Sequence, residues 1–181
     1  ILMGAFAFES RMSEDLYDSA HKIFGRLRGG LAMATVVASA GFAAICGASV
    51  ASAATMGKVA YPEMKRFNYD PQLSSASICV GGTIGILIPP SIIFIIYGII
   101  AEQSIGQLYM AGFIPGILQT LIFIAVIAIL CRINPEMGPS GPSTSYKEKI
   151  MALFKSWPVI LVFLVVIGGI YLGWFSANEA A

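Results

Sequence analysis

The sequence predicts an all-α integral membrane protein containing a re-entrant helical hairpin and a discontinuous transmembrane helix. Three observations carry this reading. The 181 residues are 57% hydrophobic and 12% charged, with mean hydropathy +0.80, far from the charge content of a soluble domain. Residues 71–101 hold no charged side chain, yet this apolar run is interrupted by Gly81-Gly82-Thr83 and again by Pro89-Pro90. Residues 31–64 are long enough to cross a bilayer, but they are rich in Ala, Ser and Gly and carry Gly47-Ala48-Ser49 midway. A helix broken inside a membrane leaves backbone groups unpaired where water cannot reach, which is tolerated only where protein or a solvated cavity covers them.

A net charge of +1, with the basic residues in short groups beside apolar runs, excludes nucleic acid as a partner and fits a lipid bilayer. Cys46, Cys79 and Cys131 are scattered through apolar stretches without a CxxC or a histidine nearby, so they read as small packing side chains.

Along the chain, residues 1–10 fit the end of a spanning helix, because they show neither a basic leader nor a cleavage site, and the chain reads as a fragment of a longer protein. In 11–30, Met12, Leu16, Ala20, Ile23 and Leu27 recur at spacings of three and four, predicting an amphipathic arm helix at the membrane surface. Ser13 is expected to cap it, Glu14 and Asp15 suit its positive end, Arg26 and Arg28 its negative end, and Gly29-Gly30 stops it. His21, the only histidine, reads as part of this solvated helix and not of a site.

Residues 31–64 either cross once or enter, turn between Gly47 and Ala54, and return. If they return, Lys22, Arg26 and Arg28 share a side with Lys65 and Arg66, and after two further crossings with Arg132, Lys147, Lys149 and Lys155. Basic residues flanking membrane helices gather on the cytoplasmic side, so the hairpin is preferred. Then 71–101 is the broken helix, 106–132 a spanning helix and 133–156 a cytoplasmic linker. A Ser145–Glu148 capping box opens a short helix in that linker, with Ile150, Leu153 and Phe154 as its apolar face. Trp157 and Pro158 begin a last span over 157–176, and 177–181 opens the next segment.

The breaks are the chemistry-bearing features. Residues 71–82 rise roughly 18 Å as a helix, a little over half of a hydrocarbon core of about 30 Å, which sets the break near the midplane. Carbonyl ends at Gly47 and Gly82 are expected to converge there and attract a cation, while the N–H end after Pro90 and Ser91 suits a carboxylate. Oxygens of Gly47, Ser49, Ser52, Gly82, Thr83 and Pro89 are the expected ligands of a sodium ion, and Ser52, Thr55, Pro90 and Ser91 the expected contacts of an acid. No Cys, His or Asp converges here, which excludes a transition metal such as zinc. Small residues also let helices pack closely, and for a single Ser the two uses stay open.

Gly47-Ala-Ser-Val-Ala-Ser-Ala-Ala-Thr-Met-Gly57, Tyr61-Pro-Glu-Met-Lys-Arg66, Gly81-Gly-Thr-Ile-Gly-Ile-Leu-Ile-Pro-Pro-Ser91 and Gly168-Gly-Ile-Tyr171 together resemble the large membrane subunit of the tripartite ATP-independent periplasmic (TRAP) transporters. The resemblance spans essentially the whole chain. Ser176-Ala-Asn-Glu179-Ala departs from the Thr-Pro-Thr-Glu-Ala usual in that family. The resemblance implies an ion-transporter-type fold, one part of an inverted-repeat elevator transporter in the bacterial inner membrane. It further implies sodium-coupled uptake of a small organic carboxylate, a C4-dicarboxylate, sialic acid or similar acid. A periplasmic binding protein would deliver that acid, and a small membrane subunit would be the second partner. The alternative is a channel-like pore built on a re-entrant loop. An intramembrane hydrolase using Ser49 or Ser52 is not expected, since neither histidine nor lysine lies near the midplane to act as its base.

Overall fold

The computed structural model describes residues 12–141, 146–172 and 174, and within them the chain is helical with connecting turns. The expectations for residues 1–11, for Ser145 and for 175–181 lie outside the described residues.

Helix α1, Met12–Phe24, is shorter than the periodicity predicts. Gly25 donates its N–H to the His21 carbonyl and ends the helix, so Leu27 stands exposed beyond it and Arg26 and Arg28 sit in the following turn. Ser13 lies inside the helix, fully buried, and does not cap it from outside. The buried side also carries Tyr17, Ser19 and Ala20.

Helices α2, Gly30–Cys46, and α3, Ser49–Arg66, form an antiparallel pair joined by Gly47 and Ala48. The Ser52 hydroxyl donates to the Ser39 carbonyl at 3.3 Å near the tip, and the Thr35 hydroxyl meets the Met64 sulfur at 4.0 Å toward the base. Gly47 ends α2 with φ +60°, a conformation that glycine adopts without steric cost, and its N–H bonds the Ala43 carbonyl.

Helix α4, Pro71–Thr83, starts sharply because the Asp70 carboxylate accepts the N–H groups of Gln72 and Leu73 and Pro71 occupies the first turn. It packs against both arms of the hairpin. A single 3₁₀ turn, Ile84–Ile86, and the non-helical residues 87–91 separate it from α5, Ile92–Ile100. The Pro89–Pro90 peptide is cis.

Helix α6, Ile105–Ile133, is the one helix among the described residues long and apolar enough to cross a membrane. It lies against α5 and α2. Beyond it come α7, Tyr146–Lys155, and α8, Trp157–Tyr171. Among the described side chains of α7, Ala152 is buried while Ile150 and Phe154 of the expected apolar face point outward, and the side chain of Leu153 lies outside the described ones. Polar pairing decides this orientation. Ser19 of α1 donates to the Ala152 carbonyl at 2.6 Å and shares a 2.7 Å hydrogen bond with Ser156, and Lys155 pairs with Asp15 at 2.6 Å.

The segment after α6 is more than a connector. The Met137 carbonyl accepts the Asp70 N–H, the Gly138 carbonyl accepts the Gly29 N–H, and the Gly141 N–H reaches the Gly25 carbonyl. The Tyr69 hydroxyl receives the Leu31 N–H at 3.2 Å and donates to the Pro139 carbonyl at 2.9 Å. Residues 137–141 thus tie together the turns at both ends of the hairpin base.

Candidate functional site

The tip of the hairpin rests in the gap between α4 and α5. A Cβ at Gly82 would stand 2.8 Å from the Ala53 Cβ and 3.2 Å from the Ser49 carbonyl oxygen, and one at Gly85 would stand 3.1 Å from the Ala43 Cβ. One at Gly81 would strike the Ser39 hydroxyl at 2.5 Å, and one at Gly47 would strike the Pro90 carbonyl. The backbone of α4 and of the break therefore lies against small side chains of the hairpin and, at Gly47, against the Pro90 carbonyl, an approach that glycine allows.

Helix ends are matched across this seam. The Gly47 carbonyl, at the negative end of α2, accepts the Ile92 N–H at the positive end of α5 at 3.4 Å. The first turn of α3, at Ser49, faces the turn that follows α4, with the Ser49 nitrogen 3.5 Å from where a Gly85 Cβ would be. The Gly47 carbonyl end thus lies against an N–H end, and the Gly81 and Gly82 carbonyls at the end of α4 receive the Ile84 N–H.

Gly47, Ser49, Ser52, Gly82, Pro89, Pro90 and Ser91 come together around this seam, and all of them except Ser49 are buried. Thr55 is buried one turn beyond Ser52 on the same face of α3. Thr83 departs from the cluster. Its side chain is exposed, its hydroxyl donates to the Val80 carbonyl at 2.7 Å, and it faces α6 instead of the hairpin. Ser39 was not anticipated. It is fully buried with an unpartnered hydroxyl, and the only signal for it in the sequence is its position eight residues before Gly47 in an Ala-rich helix.

The available donors are neutral oxygens: the Gly47, Ser49 and Pro90 carbonyls and the Ser52 and Ser39 hydroxyls. Among the described residues no group of His, Cys, Asp or Glu is placed to hold a metal ion. Such a set fits a hard monovalent cation and offers no ligand for a soft one.

An antiparallel hairpin seated in the gap of a broken helix, beside a helix long enough and apolar enough to span, is compatible with a helical membrane protein. The chain belongs to the DctM component family of the tripartite ATP-independent periplasmic transporters, whose sequence profile matches residues 1–181. It is 39% identical over its whole length to the C4-dicarboxylate TRAP transporter large permease protein DctM of Pseudomonas aeruginosa, covering 42% of that protein. It is 35% identical to the sialic acid TRAP transporter permease protein SiaT of Haemophilus influenzae, covering 29% of it. It is also 35% identical to the ectoine TRAP transporter large permease protein TeaC of Halomonas elongata, covering 42%. The chain thus spans well under half the length of these curated relatives. They are transporter permeases and not enzymes.

Proposed function

We propose that this chain forms part of the membrane permease of a sodium-coupled secondary transporter for a small organic acid. The hairpin is re-entrant in the inner membrane, and the permease works by an elevator movement with a small membrane subunit and a periplasmic binding protein. The observation that supports this reading is the seating of the Gly47–Ser49 tip on the Gly81–Ser91 break. Two membrane-depth irregularities cover one another there and leave carbonyl and hydroxyl oxygens between them. Sodium is held by oxygens of Gly47, Ser49, Ser52 and Gly82, with Pro89 shaping the gap and Thr83 offering its carbonyl alone. The cation adds to carbonyls with a lone pair to spare, the Gly47 carbonyl among them.

The test is uptake by proteoliposomes containing the complete permease, its small subunit and its binding protein, with succinate, sialic acid and ectoine offered in turn. Saturable accumulation that depends on an inward sodium gradient supports the reading. Single-file current without saturation, independent of the binding protein, would replace it with a channel.

A further inference from the structure

The turn between α1 and α2 reads Arg26-Leu27-Arg28, and all three side chains are exposed. Its backbone is held from several directions. Gly25 donates to the His21 carbonyl at 2.6 Å, Leu27 to Phe24 at 2.8 Å, Gly30 to Leu27 and Gly29 to Gly138 at 2.9 Å, and Gly141 to Gly25 at 2.8 Å. Gly29, with φ +75°, lies so near the last turn of α6 that a Cβ there would strike Cys131 Sγ at 2.6 Å and stand 3.0 Å from Ile127 Cγ2. The turn is thus set against the end of the one described helix long enough to span, where Arg132 follows Cys131 and is exposed as well.

Charge is unevenly paired at this end of the molecule. Lys22 pairs with Asp18 at 2.7 Å, Arg66 with Glu63 at 3.6 Å and Lys155 with Asp15 at 2.6 Å. Arg26, Arg28 and Arg132 have no ion pair with a described residue. The nearby acid, Glu136, lines a separate cleft with Lys65, Asn68 and Asp70. Like charges gathered without a counter-charge repel one another, and an anion between them reverses that balance. Two apolar side chains stand among the arginines, Leu27 at 51% exposure and Ile133 at 69%. A soluble phosphate would use the arginines and leave Leu27 and Ile133 in water. A lipid at the bilayer boundary uses both, its phosphate against the guanidinium groups and its acyl region against the apolar side chains.

We propose that Arg26, Arg28 and Arg132 form a docking surface for the phosphate headgroup of an anionic phospholipid in the cytoplasmic leaflet, with Leu27 and Ile133 entering the acyl region beside it. Guanidinium forks bond phosphate oxygens in pairs, and the held turn presents two of them without further ordering. One side of the surface belongs to the turn that joins the arm helix to the hairpin and the other to the end of α6. A bound headgroup therefore ties these two elements from outside, as residues 137–141 do from within. The proposal rests on the membrane reading of the chain and concerns neither the sodium nor the solute.

The experiment is thermal unfolding of the complete permease with its small subunit in an uncharged detergent, while dioleoylphosphatidylglycerol, dioleoylphosphatidylcholine or inorganic phosphate is added. A ligand that binds only the folded protein raises the melting temperature as its concentration rises. Phosphatidylglycerol should act at a concentration about tenfold or more below that of phosphatidylcholine, and phosphate alone should have no effect. Replacing the three arginines together, Arg26→Gln, Arg28→Gln and Arg132→Gln, should raise the half-effective phosphatidylglycerol concentration by about tenfold or more. Arg66→Gln removes an exposed charge that has its own partner and should change it by less than about twofold. Melting in phosphatidylcholine reports the fold of each variant, and Arg28→Gln alone, expected to weaken the response about fivefold, keeps the test readable if the triple variant melts early. An unchanged phosphatidylglycerol response in the variants, or an equal loss with Arg66→Gln, overturns the docking surface. Equal stabilisation by phosphate alone overturns the lipid in favour of a soluble anion. Uptake is not read in this assay, so each of these outcomes leaves sodium-coupled transport standing.

Discussion

Gly82 lies directly against Ala53, so closely that a Cβ on residue 82 would stand 2.8 Å from the Ala53 Cβ. The return arm of the hairpin and the broken helix therefore share their closest approach where sodium is proposed to bind. Gly82→Val should push the two apart at an overpacking cost of about 1–3 kcal/mol. Because about 1.4 kcal/mol corresponds to tenfold in affinity, half-saturating sodium should rise by roughly tenfold or more in the uptake assay. Ser75→Ala is the control, since that hydroxyl is exposed and bonds only carbonyls of its own helix. Overlay of the two sodium titrations would place the ion elsewhere.

Ser52 offers a milder probe of the same seam. Its buried hydroxyl donates to the Ser39 carbonyl, so Ser52→Ala removes one neutral hydrogen bond worth about 0.5–1.5 kcal/mol and, if it is a ligand, one oxygen as well. A purely structural role lowers the melting temperature and leaves sodium dependence alone. The expected outcome is the reverse weighting: a several-fold rise in half-saturating sodium with a small change in melting, read by titration and by thermal unfolding in detergent.

What was legible in the sequence is local. Gly81-Gly82-Thr83 and Pro89-Pro90 announce a break because glycine and proline act through their own backbone, and the structure ends α4 at Thr83 and restarts at Ile92. Gly47 announces the tip for the same reason. Contacts between distant segments were not legible. The hydrogen bond from Ile92 to Gly47 joins two segments that read separately in the sequence, and the tie from Met137 to Asp70 lies in what reads as a bare linker. Helix α1 ended early because Gly25 stops it, while Ile23 and Leu27 continue the apolar spacing past that point.

The base of the hairpin gives a stability prediction. Tyr69→Phe removes the hydroxyl that accepts the Leu31 N–H and donates to the Pro139 carbonyl, leaving a buried amide without its partner. The cost should be about 1–3 kcal/mol, and hydrogen exchange should rise at Leu31 and through 137–141 together. Faster exchange at Leu31 alone would show that the segment after α6 is held by its glycine contacts and not by Tyr69.

The topology is testable by labelling single cysteines in a cysteine-free background of the complete permease. With a re-entrant hairpin, cysteines at Arg28 and Phe67 react from the cytoplasmic side and one at Gln103 from the opposite side. The three positions lie in turns or beside helix ends, outside the apolar cores of the helices. If positions 28 and 67 label from different sides, residues 31–64 cross the membrane once and the positive-inside argument fails.

Acidification should loosen α1 from the hairpin, through His21. Its imidazole packs against the Phe67 ring at 5.9 Å and the Tyr17 ring at 6.3 Å. Burial pushes its pKa below the usual 6.5, with the nearby Asp18 and Glu63 carboxylates pulling the other way and Lys22 adding to the depression. A histidine kept neutral by the fold resists a proton that the unfolded chain accepts. Stability is therefore fully present above about pH 6.5 and declines as pH falls toward the lowered folded value. Melting in detergent should drop more between pH 7.5 and pH 5.5 for the wild type than for His21→Gln, which stays neutral throughout. Parallel drops in the two proteins would show that the pH response comes from other groups and that His21 protonates without strain on the packing.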